Sequence, residues 1–177
     1  MSTFLTPEQE LLAQEVAHLL IARGETVAVS EGTAGGLVSA ALLSVAGASQ
    51  YYRGGAVLYT LPSRIALAGV SAEQYANYRG TTPEMLATIA EAMRARLDAT
   101  WCIAESGLAG PTPGRSGTPA GRTTVAVAGP LTRTAVIETG TIDRAENMVR
   151  FTTIALRFLR DALRDAPRET PARGQAS

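Results

Sequence analysis

Two short segments of the chain combine glycine with side chains able to do chemistry: SEGTAGG, from Ser30 to Gly36, and ESGLAGPTPGRSGTPAG, from Glu105 to Gly121. In the first, Gly32, Gly35 and Gly36 permit a tight strand-to-helix turn, and the free N–H groups of the following helical turn can receive a phosphate or a carboxylate. Its spacing matches neither the dinucleotide fingerprint nor the Walker loop, so it specifies no nucleotide by itself. The second holds five glycines and three prolines, and a loop of that length inside a compact domain is usually functional or disordered.

Each segment carries a carboxylate and a hydroxyl: Glu31 with Thr33, and Glu105 with Ser106. Either hydroxyl can act as a nucleophile. Two neighbouring carboxylates, one pushed toward neutrality by burial and repulsion, can instead activate water. If the strands preceding the two segments are neighbours, the loops line one crevice at the carboxyl edge of a sheet, where open α/β sheets bind ligands. The alternative is that each Glu pairs with an arginine such as Arg64 or Arg122. Arg144 and Arg150, near the start of the last helix, suit an anionic ligand, a partner subunit or a solvated face.

Composition narrows the chemistry. The 177 residues are 46% hydrophobic and 18% charged, as expected of one domain that buries roughly 70% of its unfolded surface. Sixteen basic residues cancel sixteen acidic ones, leaving no excess charge for nucleic acid or an acidic membrane surface. All of the basic residues are Arg, so a Schiff base and a Ser–Lys dyad are excluded. His18 and Cys102 are the only residues of their types, too few for a zinc cluster or an internal disulfide. Neither a metal nor a cofactor is expected. The N-terminus, MSTFLTPEQELL, lacks a basic region and an apolar core, and LVSAALLSVAGA is too short and interrupted to span a bilayer. The expected location is the cytoplasm.

The elements that must position these groups are well signalled. Thr6, Pro7 and Gln9 form a helix start with capping-box spacing, and Leu12, Val16, Leu19 and Leu20 continue it to about Arg23, before Gly24. Thr26 to Ser30 reads as a buried strand, Leu37 to Val45 as a helix, and Tyr52 to Thr60 as a strand whose two glycines suggest a bulge or a close approach. Thr82, Pro83 and Glu84 open a helix with an inward stripe of Leu86, Ile89, Met93 and Leu97. Trp101 to Ala104 is a further strand, and Thr123 to Ala128 with Thr134 to Thr139 form a hairpin across Gly129 and Pro130. A last helix starts near Asp143 and turns Met148, Phe151, Ala155, Phe158, Leu159 and Ala162 inward. From Pro167 the polar tail is expected to be disordered. Together these predict an α/β fold: a three-layer α/β/α domain over residues 1–166 with a mixed central sheet.

In order, SEGTAGG, GASQYYRGGAVLYTLPSR, LAGV, SGLAGPTPG, PAG and DRAENMVR resemble the C-terminal domain family of the competence/damage-inducible protein CinA, over roughly Pro7 to Leu163. The chain looks like the stand-alone form of that domain. The resemblance implies an α/β/α layered domain and nicotinamide-nucleotide amidase activity, which hydrolyses the carboxamide of nicotinamide mononucleotide to ammonia and nicotinate mononucleotide without a metal. In the family pattern E-S-C-T-G-G a serine attacks the amide, and a tyrosine and a lysine from Y-S-N-E-A-K assist proton transfer. Here Gly32 stands at the serine position, Tyr59 matches the tyrosine and Arg64 replaces the lysine. The family's I-T-G-x-A-G-P becomes Glu105, Ser106, Gly107, Leu108, Ala109, Gly110, Pro111, and Arg144 and Arg150 match its D-R-x-x-x-x-x-R segment.

Two expectations follow. One is an amidohydrolase with a rearranged site, in which Thr33 or Ser106 attacks, or Glu31 and Glu105 activate water, with Arg64 stabilising an oxyanion. The other is a non-catalytic module, a sensor or assembly partner, that keeps a mononucleotide pocket lined by Gly32, Gly35, Gly36, Gly107 and Gly110 with Arg144 and Arg150. A homo-oligomer is expected in either case.

Overall fold

The computed structural model describes residues 4–76, 78–115 and 117–167. Helix α1 (Pro7–Arg23) begins at the reciprocal cap expected from sequence: the Thr6 hydroxyl accepts from the Gln9 N–H at 3.2 Å and the Gln9 side chain accepts from the Thr6 N–H at 3.0 Å. Gly24, at φ +64°, ends it in the left-handed conformation. Then come β1 (Val27–Glu31), α2 (Leu37–Leu43), β2 (Tyr52–Val57), a one-turn α3 (Leu61–Ser63) running into a π-helical turn over Arg64–Ala68, and α4 (Pro83–Arg96). The chain continues with β3 (Trp101–Leu108), β4 (Arg122–Ala128), β5 (Arg133–Glu138) and α5 (Arg144–Asp165).

The strands form one mixed sheet in the order β2-β1-β3-β4-β5, in which β1 is parallel to β2 and β3 while β4 is antiparallel to β3 and β5. Strand alternation gives its two faces different sizes. Val27, Val29, Ile103, Val125 and Val127 face α1, α2 and α5, where Leu12, Val16, Leu20, Leu42, Leu156 and Leu159 fill the core. Ala28, Cys102, Ala104, Ala126 and Ala128 form the opposite face, whose small side chains let α4 lie close with Leu86, Ile89, Ala90 and Met93. The result is the α/β/α sandwich with a mixed sheet that the sequence predicts.

Several boundaries move for physical reasons. The expected strand Trp101–Ala104 runs on to Leu108, because Ser106 and Gly107 pair across to Thr124 and Thr123; the irregular loop is therefore only residues 109–121. Helix α2 stops two residues short of Val45, where the Ser44 hydroxyl turns back to the Ala41 carbonyl at 2.7 Å. The glycines of β2 serve both purposes suggested for them: the register against β1 slips between Val27 and Ala28, and a Cβ on Gly55 would lie 2.9 Å from the Val29 carbonyl. On α5, Asn147, Thr152, Leu156 and Leu163 join the buried stripe, whereas Phe158 is partly buried under the Arg133 guanidinium, 5.0 Å from its ring. His18 is exposed and Cys102 is buried in the α4-side core. Beyond Pro167 the tail reading lies outside the described residues. No helix among the described residues is long and apolar enough to cross a membrane.

Gly107 marks the tightest approach relevant to the site, since an added Cβ would sit 2.7 Å from the Arg122 carbonyl, 2.8 Å from the Phe151 ring and 3.0 Å from the Thr123 Cα. Gly107→Ala is expected to destabilise the fold by about 1–3 kcal/mol, lowering the melting temperature by roughly 2–4 °C per kcal/mol in a thermal scan.

Candidate ligand-binding site

Glu31 and Glu105 are direct register partners at the carboxyl ends of β1 and β3, as the crevice argument requires. Both lie on the face toward α1, α2 and α5, 1% and 2% exposed. The Glu31 carboxylate accepts from the N–H groups of Gly36 (2.9 Å), Val38 (3.0 Å) and Ser39 (2.9 Å) and from the Ser39 hydroxyl (2.6 Å). Helix α2 has glycine at its N-cap and no capping side chain of its own, so a strand residue supplies its cap. Glu105 accepts from the N–H groups of Thr33 (3.0 Å) and Ala34 (2.8 Å) and from the Thr123 hydroxyl (2.8 Å). The N–H groups that the sequence offered to an external anion are thus filled by the protein's own carboxylates. Neither Glu pairs with Arg64 or Arg122, because the backbone donors already satisfy both.

The two loops also bind each other directly. The Gly32 N–H donates to the Glu105 carbonyl at 2.8 Å, and the Thr33 hydroxyl donates to the Gly107 carbonyl at 2.8 Å while accepting from the Gly107 N–H at 2.9 Å. Thr33 therefore has its hydrogen engaged in the backbone. Gly35 packs against Met148, whose methyl would lie 3.0 Å from an added Cβ, while a Cβ on Gly36 would meet open space.

Alternation sends Ser106 to the opposite face of the sheet, with Thr124 and Arg122 of β4. Its Oγ accepts a hydrogen bond from Arg64 Nη2 at 2.9 Å and lies 2.9 Å from the Thr81 hydroxyl. Arg64, only 5% exposed, also donates to the Leu58 carbonyl (3.3 Å), the Tyr78 hydroxyl (3.3 Å) and Thr81 Oγ1 (3.1 Å). Its guanidinium lies 5.3 Å from the centre of the Tyr78 ring. The site is aimed by α3, where Thr60 caps Ser63 and Arg64 opens the π-helical turn. Gly32 belongs to this face: a Cβ there would lie 3.3 Å from Ser106 Oγ. Residues 32, 64 and 106 are therefore brought together on this face.

The remaining sequence candidates lie elsewhere. Tyr59 is 58% exposed and its hydroxyl accepts from Arg144 Nη2 at 3.1 Å, while Arg144 Nη1 reaches the Gly110 carbonyl at 3.1 Å. Arg144 thus ties the glycine loop to the end of β2. Arg150 is engaged by Glu146 at 2.5 Å and by the Thr139 carbonyl at 3.2 Å. Gly110, at φ +105°, packs against the Ile142 carbonyl. Sequence reasoning missed Asn147, fully buried, whose side-chain amide donates to the Ala109 carbonyl (2.8 Å) and the Thr141 carbonyl (2.9 Å) and so holds the glycine loop on α5.

A cavity of about 380 Å³ opens beside Ser106, between the segment preceding α4 and the glycine loop. Ser106, Gly107, Leu108, Arg122 and Thr124 form its sheet wall; Tyr78, Arg79, Gly80, Thr81, Thr82 and Pro83 form one side, and Gly114, Arg115 and Thr118 the other. The SEGTAGG loop does not line it, which corrects the expected crevice between the two glycine loops: their direct hydrogen bonds close that space. Sequence reading treated Thr82 and Pro83 only as a helix start and passed over Tyr78, Arg79 and Thr81; Arg115 lay unnamed within the glycine loop that it did single out. For the residues before α4 the available signal was their place ahead of a helix, and for Arg115 it was the length of the glycine loop.

Chemically, the cavity offers cations and hydroxyls. A guanidinium stays protonated, so Arg64 orients the Ser106 oxygen or stabilises negative charge but takes no proton from it. Among the described residues, no Asp, Glu or His lines the cavity, and no three His, Cys, Asp or Glu side chains are grouped to hold a metal ion.

Burial raises the Glu105 pKa above its ordinary value near 4.5, opposed by the Ala34, Thr123 and Thr33 donors and reinforced by the charge of Glu31. Its stabilising contribution is therefore complete below the ordinary value and is lost as pH rises through the higher folded value. Glu105→Gln keeps an acceptor for the two N–H groups and a donor for Thr123. The variant is expected to gain melting temperature relative to the native chain as pH rises from about 4 to 8; a difference independent of pH would contradict this account.

The family model of the CinA C-terminal domain matches residues 9–163. A CinA-like protein of Prochlorococcus marinus (strain MIT 9313) is 42% identical over 123 residues, 70% of this chain and 29% of the relative. Another, from Acidobacterium capsulatum, is 35% identical over 135 residues, 76% of this chain and 33% of the relative. The chain spans about a third of the length of these curated relatives. Among solved structures, the competence damage-inducible protein A (ComA) of Klebsiella pneumoniae superposes with a TM-score of 0.84 at 29% identity, covering 89% of this chain and 98% of that one. The competence/damage inducible protein CihA of Agrobacterium tumefaciens gives 0.83 at 27%, covering 93% and 100%. With its sheet, its glycine loops and most of its length matched, the chain belongs to the CinA C-terminal domain family.

Proposed function

We propose that this domain binds a mononucleotide of the nicotinamide type in the cavity beside Ser106 and does not hydrolyse it by the serine, tyrosine and lysine route that the family resemblance implies. One observation carries the reading. The Ser106 hydroxyl is held by Arg64 Nη2 at 2.9 Å and Thr81 Oγ1 at 2.9 Å, and none of these partners accepts a proton at neutral pH. Gly32 supplies no hydroxyl, Thr33 is engaged with both polar groups of Gly107, and the carboxylates of Glu31 and Glu105 brace backbone N–H groups. What remains is a pocket that donates hydrogen bonds, suited to phosphate and sugar oxygens.

A second reading has its own support. A side chain at residue 32 would project to within 3.3 Å of Ser106 Oγ, so Ser106 stands beside the position of the family's attacking hydroxyl. In that reading Ser106 is the nucleophile of a slow amidohydrolase.

The experiment separates the two. With nicotinamide mononucleotide at about 100 times its Kd, the native chain is expected to gain roughly 2.7 kcal/mol of stability and to release no ammonia above background. Losing a nucleophile and its proton-transfer partner costs on the order of 10⁴-fold or more in related machinery. Ammonia release abolished by Ser106→Ala would establish the second reading. Gly32→Ser with Arg64→Lys restores both lost groups and is expected to turn over more ammonia than the native chain. Neither stabilisation nor turnover would remove both nucleotide readings.

A further inference from the structure

Three arginines from three separate segments line the same cavity: Arg79 before α4, Arg115 in the glycine loop and Arg122 at the start of β4. Most of the other described arginines are neutralised. Arg94, Arg133, Arg150, Arg157, Arg160 and Arg164 each pair with a carboxylate. The side chains of Arg79, Arg115 and Arg122 make no ion pair and no hydrogen bond among the described residues, and no Asp or Glu lines the cavity they share. The chain as a whole carries no net charge, so this is a local surplus of cations. Three unpaired guanidiniums around one concavity focus a positive field that an anion relieves. None of the three lies in the motifs on which the family likeness rests.

We infer that this arginine cluster makes the cavity a receptor for the acid form of the mononucleotide, a ligand bearing both a phosphate and a ring carboxylate, in preference to the carboxamide. The inference rests on the reading of the cavity as a mononucleotide site. A phosphomonoester carries about −1.5 to −2 at neutral pH, and the pyridinium ring of either ligand carries one positive charge. The amide therefore brings a cation into a cavity that has no carboxylate to balance it. In the acid the ring carboxylate cancels that cation and accepts bidentate hydrogen bonds from guanidinium. Arg64 does not serve this purpose directly, because its donors are engaged by Leu58, Tyr78, Thr81 and Ser106.

The test compares nicotinate mononucleotide, nicotinamide mononucleotide and inorganic phosphate by calorimetric titration of the full chain and of Arg79→Gln, Arg115→Gln and Arg122→Gln. Because these side chains hold nothing in the fold, the variants should melt with the native chain when no ligand is added. The acid is expected to bind at least about tenfold more tightly than the amide, and two or more variants to lose about tenfold or more of that affinity while narrowing the preference. Equal affinity for acid and amide, or variants that leave acid affinity unchanged, would overturn the inference while the mononucleotide reading stands. Inorganic phosphate binding as tightly as the acid would also overturn it, since the cluster would then be a general anion site. Binding of neither nucleotide would remove the underlying reading as well.

Discussion

Two carboxylates buried side by side at the ends of β1 and β3 hold the architecture of this edge of the sheet. Glu31 and Glu105 between them accept five backbone N–H groups from Thr33 to Ser39. Each donor is an orphan of a tight turn or of the first turn of α2, and would be costly to bury without a partner. Burying two carboxyl groups carries a penalty of its own, seen in the Glu105 pKa, which desolvation raises and the neighbouring Glu31 charge raises further. The donors offset part of that penalty, so loop and carboxylates depend on one another.

Because the carboxylates and the first glycine loop saturate each other on one face, the open space lies on the other. Strand alternation puts Ser106 one residue beyond Glu105 but on the opposite side of the sheet, beneath the segment that leads into α4. There a buried arginine replaces the amine expected from the family pattern. Arg64 is tolerated in a low-dielectric position because four oxygen atoms and an aromatic ring surround its guanidinium. That satisfaction also limits its chemistry, since a permanently protonated group polarises but does not shuttle protons.

The α4 face of the sheet consists of Ala28, Cys102, Ala104, Ala126 and Ala128. Those small residues draw α4 inward, and the loop before it, with Tyr78 and Thr81, follows. The opposite face is built from larger side chains against three helices. The cavity therefore sits where the thin side of the sandwich meets the long glycine loop, which Asn147 and Arg144 fasten through Ala109 and Gly110.

Much of the fold was legible in the sequence. The caps at Thr6, Thr82 and Asp143, the helix periodicity, the hairpin over Gly129 and Pro130 and the layered class all depend on contacts within a few residues, which local chemistry specifies. Gly32, Arg64 and Ser106 were singled out through the family resemblance, in company with Glu31, Thr33, Tyr59 and Glu105. The missing Lys, the glycine at position 32 and the even charge balance are likewise facts of composition that no packing can alter. What tertiary structure alone decided was direction and company. Glu105 and Ser106 are adjacent in the chain yet face opposite layers, because β3 extends through residues that read as loop until β4 pairs with them. Arg79, Arg115 and Arg122 meet in one cavity only after three distant segments fold together. Spacing along a chain reports the period of a helix or strand; which groups converge across a sheet is set by register and long-range packing.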